Sequence, residues 1–116
     1  MRKSKLRYLF GLDAERWSCS EDYLSYVTPR NLGDLIVQKT AEKYPQISQS
    51  VVWDMFGGIG TDASRFSRIA GKVICTELNP DTYSRMLENK REFAWSNVEC
   101  INADCICAIL QSPPRC

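Results

Sequence analysis

Hydrophobic positions in the second half of the chain alternate between short continuous runs and helical spacings. The runs SVVWDM, KVICTEL and NVECINAD are short and apolar, as in strands that are buried in a parallel sheet. The segments TDASRFSRIAG and NPDTYSRMLENKREFAW between them repeat apolar residues at helical intervals. This alternation predicts an α/β fold, with right-handed crossovers and three parallel strands in the spatial order 3-2-1.

Residues with strong end preferences mark the predicted helices. Gly71 is expected to stop the first of them, and Asn79 and Pro80 to cap and open the second. An earlier helix is predicted over TPRNLGDLIVQKTAEKY, with Thr28 as its N-cap and Pro29 at its first position. Its expected buried face consists of Leu32, Leu35, Ile36 and Ala41.

The first 27 residues lack a clear period, and we expect short helices or loops there. Basic residues cluster in the opening MRKSKLR, which fits an arm facing phosphate groups or an ordinary solvated terminus. We divide the chain into a helical N-terminal segment, residues 1–48, and a partial Rossmann-like domain, residues 49–116.

Composition agrees with a single soluble domain: of the 116 residues, 44% are hydrophobic and 25% charged, and the formal net charge is +1. No apolar stretch approaches the ~20 residues that cross a bilayer, so no membrane span is expected. Six cysteines, mostly in strand-like segments, are typical of an intracellular protein in a reducing compartment, nucleus or cytoplasm. Because histidine is absent and the cysteine spacing fits no common zinc pattern, neither a metal site nor an imidazole-based nucleophile is expected.

Acidic residues occur at the ends of all three predicted strands: Asp54, Glu77 and Asp104. The carboxyl ends of parallel strands meet at one edge of the sheet, where ligands bind. A carboxylate after the second strand is placed to accept hydrogen bonds from both ribose hydroxyls, and one after the third to meet an adenine amino group. The acids therefore predict a nucleoside-containing ligand.

Glycines fill the predicted turn between the first strand and its helix, at Gly57, Gly58 and Gly60. Glycine lets the backbone approach a ligand closely. Dinucleotide sites read G-x-G-x-x-G and offer bare N–H groups to pyrophosphate. Here the turn begins at the carboxylate of Asp54, which repels pyrophosphate and attracts the ammonium of a methionine moiety. S-adenosylmethionine is therefore favoured over NAD, and an NAD-dependent oxidoreductase half-domain stays as an alternative.

The segments DMFGGIG, TELNP and NAD (residues 102–104) resemble motifs I, II and III of class I S-adenosylmethionine-dependent methyltransferases. The form D-x-F-x-G-x-G, with YVTP opening the preceding helix, is similar to the trimethylguanosine synthase family, which methylates N2 of the 7-methylguanosine cap of RNA. Over residues 20–105, the resemblance implies S-adenosylmethionine as cofactor and capped RNA as substrate. The cofactor-binding residues that it implies are Thr28, Asp54, Phe56, Gly57, Gly58, Gly60, Thr61, Glu77, Leu78, Asn79 and Asp104.

The family's catalytic motif is a polar residue followed by two prolines and an aromatic residue, at the end of a fourth strand. Ser112, Pro113 and Pro114 match it and are the candidate catalytic residues, whereas Arg115 replaces the aromatic residue. Only seven residues separate Asp104 from Ser112, too few for a helix and a strand. This spacing favours a chance match over a shortened motif.

The predicted sheet has no fourth strand, so one edge of its first strand lacks a neighbour. We expect either a truncated gene product or a sheet completed by a second polypeptide or by self-association. The predicted function is that of an RNA cap guanosine-N2 methyltransferase-like protein with an intact cofactor half. A non-catalytic S-adenosylmethionine-binding fragment or regulatory subunit is the alternative.

Overall fold

Residues 2–111 are described by a computed structural model of the chain, and within them three strands form one parallel sheet. The sheet order is β1-β2-β3, so the predicted α/β fold and strand order are confirmed. The register pairs Asp54 with Cys75 and Glu77 with Asn102. The strands are β1 (Val51–Asp54), β2 (Lys72–Glu77) and β3 (Val98–Asn102).

Helices connect the strands and precede the sheet. The α-helices are α1 (Arg2–Phe10), α2 (Arg30–Lys43), α3 (Thr61–Ser67), α4 (Pro80–Phe93) and α5 (Cys105–Gln111). Three short 3-10 helices span Gly11–Arg16, Asp22–Tyr26 and Pro45–Gln49. The predicted helical N-terminal segment is thus confirmed. None of the helices in residues 2–111 is long and apolar enough to cross a membrane.

The main core lies on one face of the sheet, beneath α3 and α4. Val73 and Cys75 of β2 are fully buried there, together with Ala63 of α3 and Met86 of α4. The opposite face carries Trp53 and Ile74, which are partly buried, and Thr76, which is fully buried. Both crossover helices therefore cover the same face, as two successive crossovers in one direction require.

A second cluster joins the N-terminal segment to the loop between β1 and α3. Leu9, Phe10, Ala14 and Val27 bury the side chain of Ile59. Residues 2–7 of the basic opening belong to α1, and Leu9 and Phe10 at the end of this helix pack in the cluster. The loop after β1 therefore rests on the N-terminal segment as well as on the sheet.

The predicted buried face of α2 is wrong. Leu32, Leu35 and Ile36 are 51%, 47% and 45% exposed, and α2 instead buries Gly33. A Cβ on Gly33 would overlap the guanidinium of Arg65 in α3, so glycine is what allows the two helices to approach. The periodicity located the apolar face correctly, but no described element covers it.

Other local expectations are corrected by the backbone. Pro29, and not Thr28, occupies the N-cap position of α2. The helix α3 ends at Ser67, before Gly71, whose N–H donates to the Ser50 carbonyl at 3.0 Å. The apolar run of the first strand predicts full burial, yet Val51 is about half exposed because β1 lies at an edge of the sheet.

The N-cap of α4 agrees with its prediction: Asn79 Oδ1 accepts a hydrogen bond from the Thr82 N–H at 3.0 Å. The third strand ends at Asn102, two residues before Asp104. Asp104 Oδ1 accepts from the Ile106 N–H at 2.8 Å at the start of α5. The seven residues between Asp104 and Ser112 therefore form the helix α5.

Candidate functional site

The carboxyl edge of the sheet brings two predicted acids onto adjoining strands. Asp54 ends β1 and Glu77 ends β2. Glu77 Oε1 accepts a hydrogen bond from the Gly58 N–H at 2.9 Å, and its Oε2 accepts from the Asn79 N–H at 2.8 Å. Glu77 therefore ties the loop after β1 to the loop after β2. A carboxylate oxygen has two lone pairs, so both oxygens keep acceptor capacity for a ligand hydroxyl.

The glycines of the loop are required by close packing and by backbone conformation. The Gly57 N–H donates to the Thr76 carbonyl at 2.7 Å, and a Cβ on Gly57 would overlap Cys75 Sγ. Gly60 has φ +94°, and a Cβ there would lie 2.6 Å from a ring carbon of Trp95. A side chain at Gly57 would move the loop away from β2, and one at Gly60 would move it away from Trp95 and strain the backbone.

Negative charge accumulates around the loop. Burial raises the pKa of the Asp54 carboxyl to about 6, and the charges of Asp62 and Glu77 act in the same direction. A hydrogen bond from the Phe56 backbone opposes these effects. Asp54 is therefore harder to ionise than a free aspartate. A bound cation would lower its pKa again.

Thr28 reaches the same region through the first turn of α3. Its hydroxyl lies 3.4 Å from Asp62 Oδ2, and its carbonyl accepts from Arg65 Nη2 at 3.2 Å. Arg65 also donates to Asp62 Oδ1 at 2.8 Å. The neighbouring Thr61 is buried. These hydrogen bonds hold the residues before α2 against α3. They place Thr28 beside Asp62.

Two apolar side chains from the two loops face solvent. Phe56 is 79% exposed and Leu78 is 64% exposed. Each lies within two residues of a strand-ending acid, Asp54 or Glu77. The carboxyl edge thus offers apolar surface next to hydrogen-bond acceptors, a combination that suits a nucleoside.

Several residues that shape this edge were missed by sequence reasoning. Asn102 Nδ2 donates to the Glu77 carbonyl at 2.8 Å and to the Leu78 carbonyl at 3.2 Å, which orders the loop after β2. The phenol of Tyr23 lies against Gly58. Burial, followed by the charges of Glu77 and Asp54, raises the pKa of Tyr23 to about 12. Tyr23 lies in a segment without hydrophobic periodicity, so its position cannot be predicted from the sequence.

Asn89 was also not identified from the sequence, although the sequence contains a signal for it. It is a polar residue on the apolar face of α4. It is completely buried, and its Nδ2 donates to the carbonyls of Ile59 and Ser18 at 3.0 Å each. Its Oδ1 accepts from the Ser18 N–H at 2.7 Å. A polar residue inside an apolar helical face indicates a buried hydrogen-bond partner, here the loop and the N-terminal segment together.

The candidate catalytic residues Ser112, Pro113 and Pro114 lie outside the described residues. In residues 2–111, no group of three or more histidine, cysteine or acidic side chains is arranged to hold a metal ion.

Among known proteins, the matches to this chain are solved structures. No protein-family model and no curated protein matches the chain. Trm5b from Pyrococcus abyssi is 24% identical over 81% of this chain and 25% of its own, with a TM-score of 0.54. A precorrin-6y C5,15-methyltransferase from Geobacter metallireducens is 18% identical over 82% and 48%, with a TM-score of 0.64. An RNA methyltransferase from Salinibacter ruber, in complex with S-adenosyl-L-homocysteine, is 23% identical over 68% and 50%, with a TM-score of 0.54.

These likenesses show the fold. The chain spans between a quarter and a half of the length of each of the three structures. Its sheet, the flanking helices and the helical segment before them have the Rossmann-like architecture that methyltransferases use, in the part that contains the first three strands.

Proposed function

We propose that the chain binds S-adenosylmethionine at the carboxyl edge of its sheet, as the cofactor half of an RNA methyltransferase. The observation that carries the proposal is that Asp54 and Glu77 end adjoining strands at this edge, and that Glu77 accepts a hydrogen bond from the Gly58 N–H. Glu77 is placed for the ribose hydroxyls and Asp54 for the methionine ammonium. The remaining expected contacts come from Thr28, Phe56, Gly57, Gly60, Thr61, Leu78, Asn79 and Asp104.

The same geometry disfavours a dinucleotide. A pyrophosphate needs free N–H groups and positive potential at the start of a helix. Here the Gly58 N–H already donates to Glu77, and Asp62 lies in the first turn of α3. The carboxylates of Asp54, Asp62 and Glu77 attract a sulfonium or an ammonium and repel phosphate. The S-adenosyl-L-homocysteine in the Salinibacter ruber enzyme agrees with this choice of ligand.

The proposed substrate is capped RNA, methylated at guanine N2. Its support is the resemblance of YVTP and D-x-F-x-G-x-G to the trimethylguanosine synthase family, together with the RNA methyltransferase among the structural neighbours. The precorrin methyltransferase has a similar fold, so fold alone does not select RNA. The choice of capped RNA as substrate therefore depends on the sequence motifs.

A calorimetric titration with S-adenosylhomocysteine and with NADH tests the cofactor. We expect heat of binding with S-adenosylhomocysteine and none with NADH at the same concentrations. Binding of NADH alone would favour the oxidoreductase alternative and overturn the proposal. Transfer of a labelled methyl group to capped RNA by the chain together with the polypeptide that completes its sheet, with uncapped RNA as control, then separates an enzyme from a binding subunit.

We further propose that another β-strand pairs with the free edge of β1. Within the described residues β1 pairs with β2 alone, and a groove of about 580 Å³ lies between the end of α2 and β1. Its lining includes Thr40, Tyr44, Val51 and Val52. A strand from a longer protein, a second polypeptide or a second copy would satisfy this edge. Methyl transfer is expected only with that remainder present.

The cysteines support the proposal of a reducing compartment. Those in residues 2–111 are free thiols. Cys75 is fully buried, and burial raises the pKa of its thiol. A buried, protonated thiol behaves as a small hydrophobic residue, which fits an intracellular location.

A further inference from the structure

The glycine loop is held by the N-terminal segment at three places. Ile59 is buried among Leu9, Phe10 and Val27. Asn89 joins the Ile59 carbonyl to the backbone of Ser18. The phenol of Tyr23 lies against Gly58, so closely that a Cβ on Gly58 would overlap the hydroxyl oxygen.

The position of Tyr23 on the glycine loop is the decisive feature. Its hydroxyl lies against Gly58, which follows Asp54 in the loop after β1 and donates its N–H to Glu77 Oε1 at 2.9 Å. The phenol therefore lies on the loop that links the acids ending β1 and β2, and burial, followed by the charges of Glu77 and Asp54, raises its pKa to about 12. In the proposed complex, Glu77 meets the ribose and Asp54 meets the methionine end of the cofactor. The atom that joins these two parts of S-adenosylmethionine is the sulfur.

We propose that Tyr23 contacts the bound cofactor over Gly58, and that its ring favours the charged sulfonium of S-adenosylmethionine over the uncharged thioether of S-adenosylhomocysteine. This inference rests on the proposed function. It assigns a positioning role to a residue of the N-terminal segment, outside the recognised motifs, and it makes that segment one wall of the cofactor site.

The physical basis is the attraction between a cation and the negative face of an aromatic ring, which is worth about a 2-fold to 30-fold factor in binding. The thioether product lacks the charge and loses this attraction. The phenol stays neutral because burial, and then the charges of the neighbouring carboxylates, raise its pKa. The site would thus hold the methyl donor more firmly than the spent product.

Calorimetry of both ligands tests the role of the ring. The ratio of the two dissociation constants is measured for wild type, Tyr23→Phe, Tyr23→Leu and Tyr26→Leu. Tyr26 is the matched control, because its ring lies 5.7 Å from that of Tyr23 yet is 76% exposed. A general disturbance of the loop weakens both ligands, whereas loss of the cation contact changes their ratio.

We expect Tyr23→Leu to lower the preference for S-adenosylmethionine about threefold or more, with the ratio unchanged in Tyr23→Phe and Tyr26→Leu. An unchanged ratio in Tyr23→Leu would overturn the role of Tyr23 while leaving the cofactor site intact. Failure of the wild-type chain to bind either ligand would instead overturn the proposed function, and this inference with it.

A second measurement needs no variant at position 23, in case Tyr23→Leu does not fold. Ring-proton resonances of wild-type Tyr23 are followed by NMR as each ligand is added. We expect them to shift more with S-adenosylmethionine than with S-adenosylhomocysteine, and those of Tyr26 to stay in place. Equal or absent shifts at Tyr23 contradict the inference.

Discussion

Glu77 Oε1 lies 2.9 Å from the backbone nitrogen of Gly58, so the last residue of β2 holds the loop that follows β1. The two residues are 19 positions apart in the chain. Their hydrogen bond makes the loop conformation and the placement of the acid a single structural unit. The binding of a ligand to Glu77 therefore also depends on the conformation of the glycine loop.

Cofactor affinity should depend on pH through Asp54. The pKa of this carboxyl is raised from 3.8 to about 6, so it is largely protonated below pH 6. Only the ionised form attracts the methionine ammonium, and we expect affinity to rise as pH increases through about 6. Titrations of S-adenosylhomocysteine at pH 5, 6 and 7.5 measure this dependence. An identical slope in Asp54→Asn would show that another group is responsible.

The same shift predicts the sign of a stability change. Because the folded pKa of Asp54 is raised, the folded state binds the proton more tightly, and the protonated acid favours folding at low pH. This contribution is lost as pH rises from about 4 to about 6 and the group ionises. The free energy of unfolding of Asp54→Asn at pH 7.5 should therefore exceed that of wild type by about 1–3 kcal/mol. The variant should accordingly unfold at a higher urea concentration. Equal or lower stability of the variant would contradict the assignment.

Replacement of Asn89 should release the N-terminal segment. Asn89→Leu leaves the Ser18 N–H and the Ser18 and Ile59 carbonyls without their buried partner, at a cost of about 2–4 kcal/mol. We expect lower urea midpoints and faster tryptic cleavage after Arg16. Glu88→Gln, on the exposed side of α4, serves as the control. Unchanged cleavage in Asn89→Leu would show that the segment is held by other contacts.

The apolar face of α2 should tolerate polar substitution in the isolated chain. Leu35→Gln changes a side chain that is about half exposed, so unfolding free energy should change by less than about 0.5 kcal/mol. Ile47→Ala, in the buried core, should cost about 2–4 kcal/mol in the same urea titration. A large loss in Leu35→Gln would mean that this face is already covered.

The fold was predictable because its signals are local. Apolar runs, helical spacings and the Asn79 cap each act over a few residues, and together they fix the strand order. The positions of Asp54 and Glu77 follow from the same pattern, since strand ends meet at one edge of a parallel sheet.

The rest depends on contacts between distant segments. Tyr23 lies against Gly58 through packing of the N-terminal segment, for which the sequence has no periodic signal. The error at Leu32, Leu35 and Ile36 has another cause. A helical period shows which face is apolar, but its burial depends on whether another element lies beside it.

The cofactor site is tested most directly by comparing S-adenosylhomocysteine binding by wild type, Glu77→Gln and Glu99→Gln in one calorimetric experiment. Glu77→Gln replaces one acceptor oxygen by a donor at the carboxyl edge. Glu99→Gln makes the same change on β3, where the carboxylate meets Lys72 at 2.9 Å on the surface. We expect affinity at least about tenfold lower for Glu77→Gln, as for the loss of a charged hydrogen bond, and wild-type affinity for Glu99→Gln. Equal affinity in all three proteins would contradict the assignment of the cofactor site to Glu77.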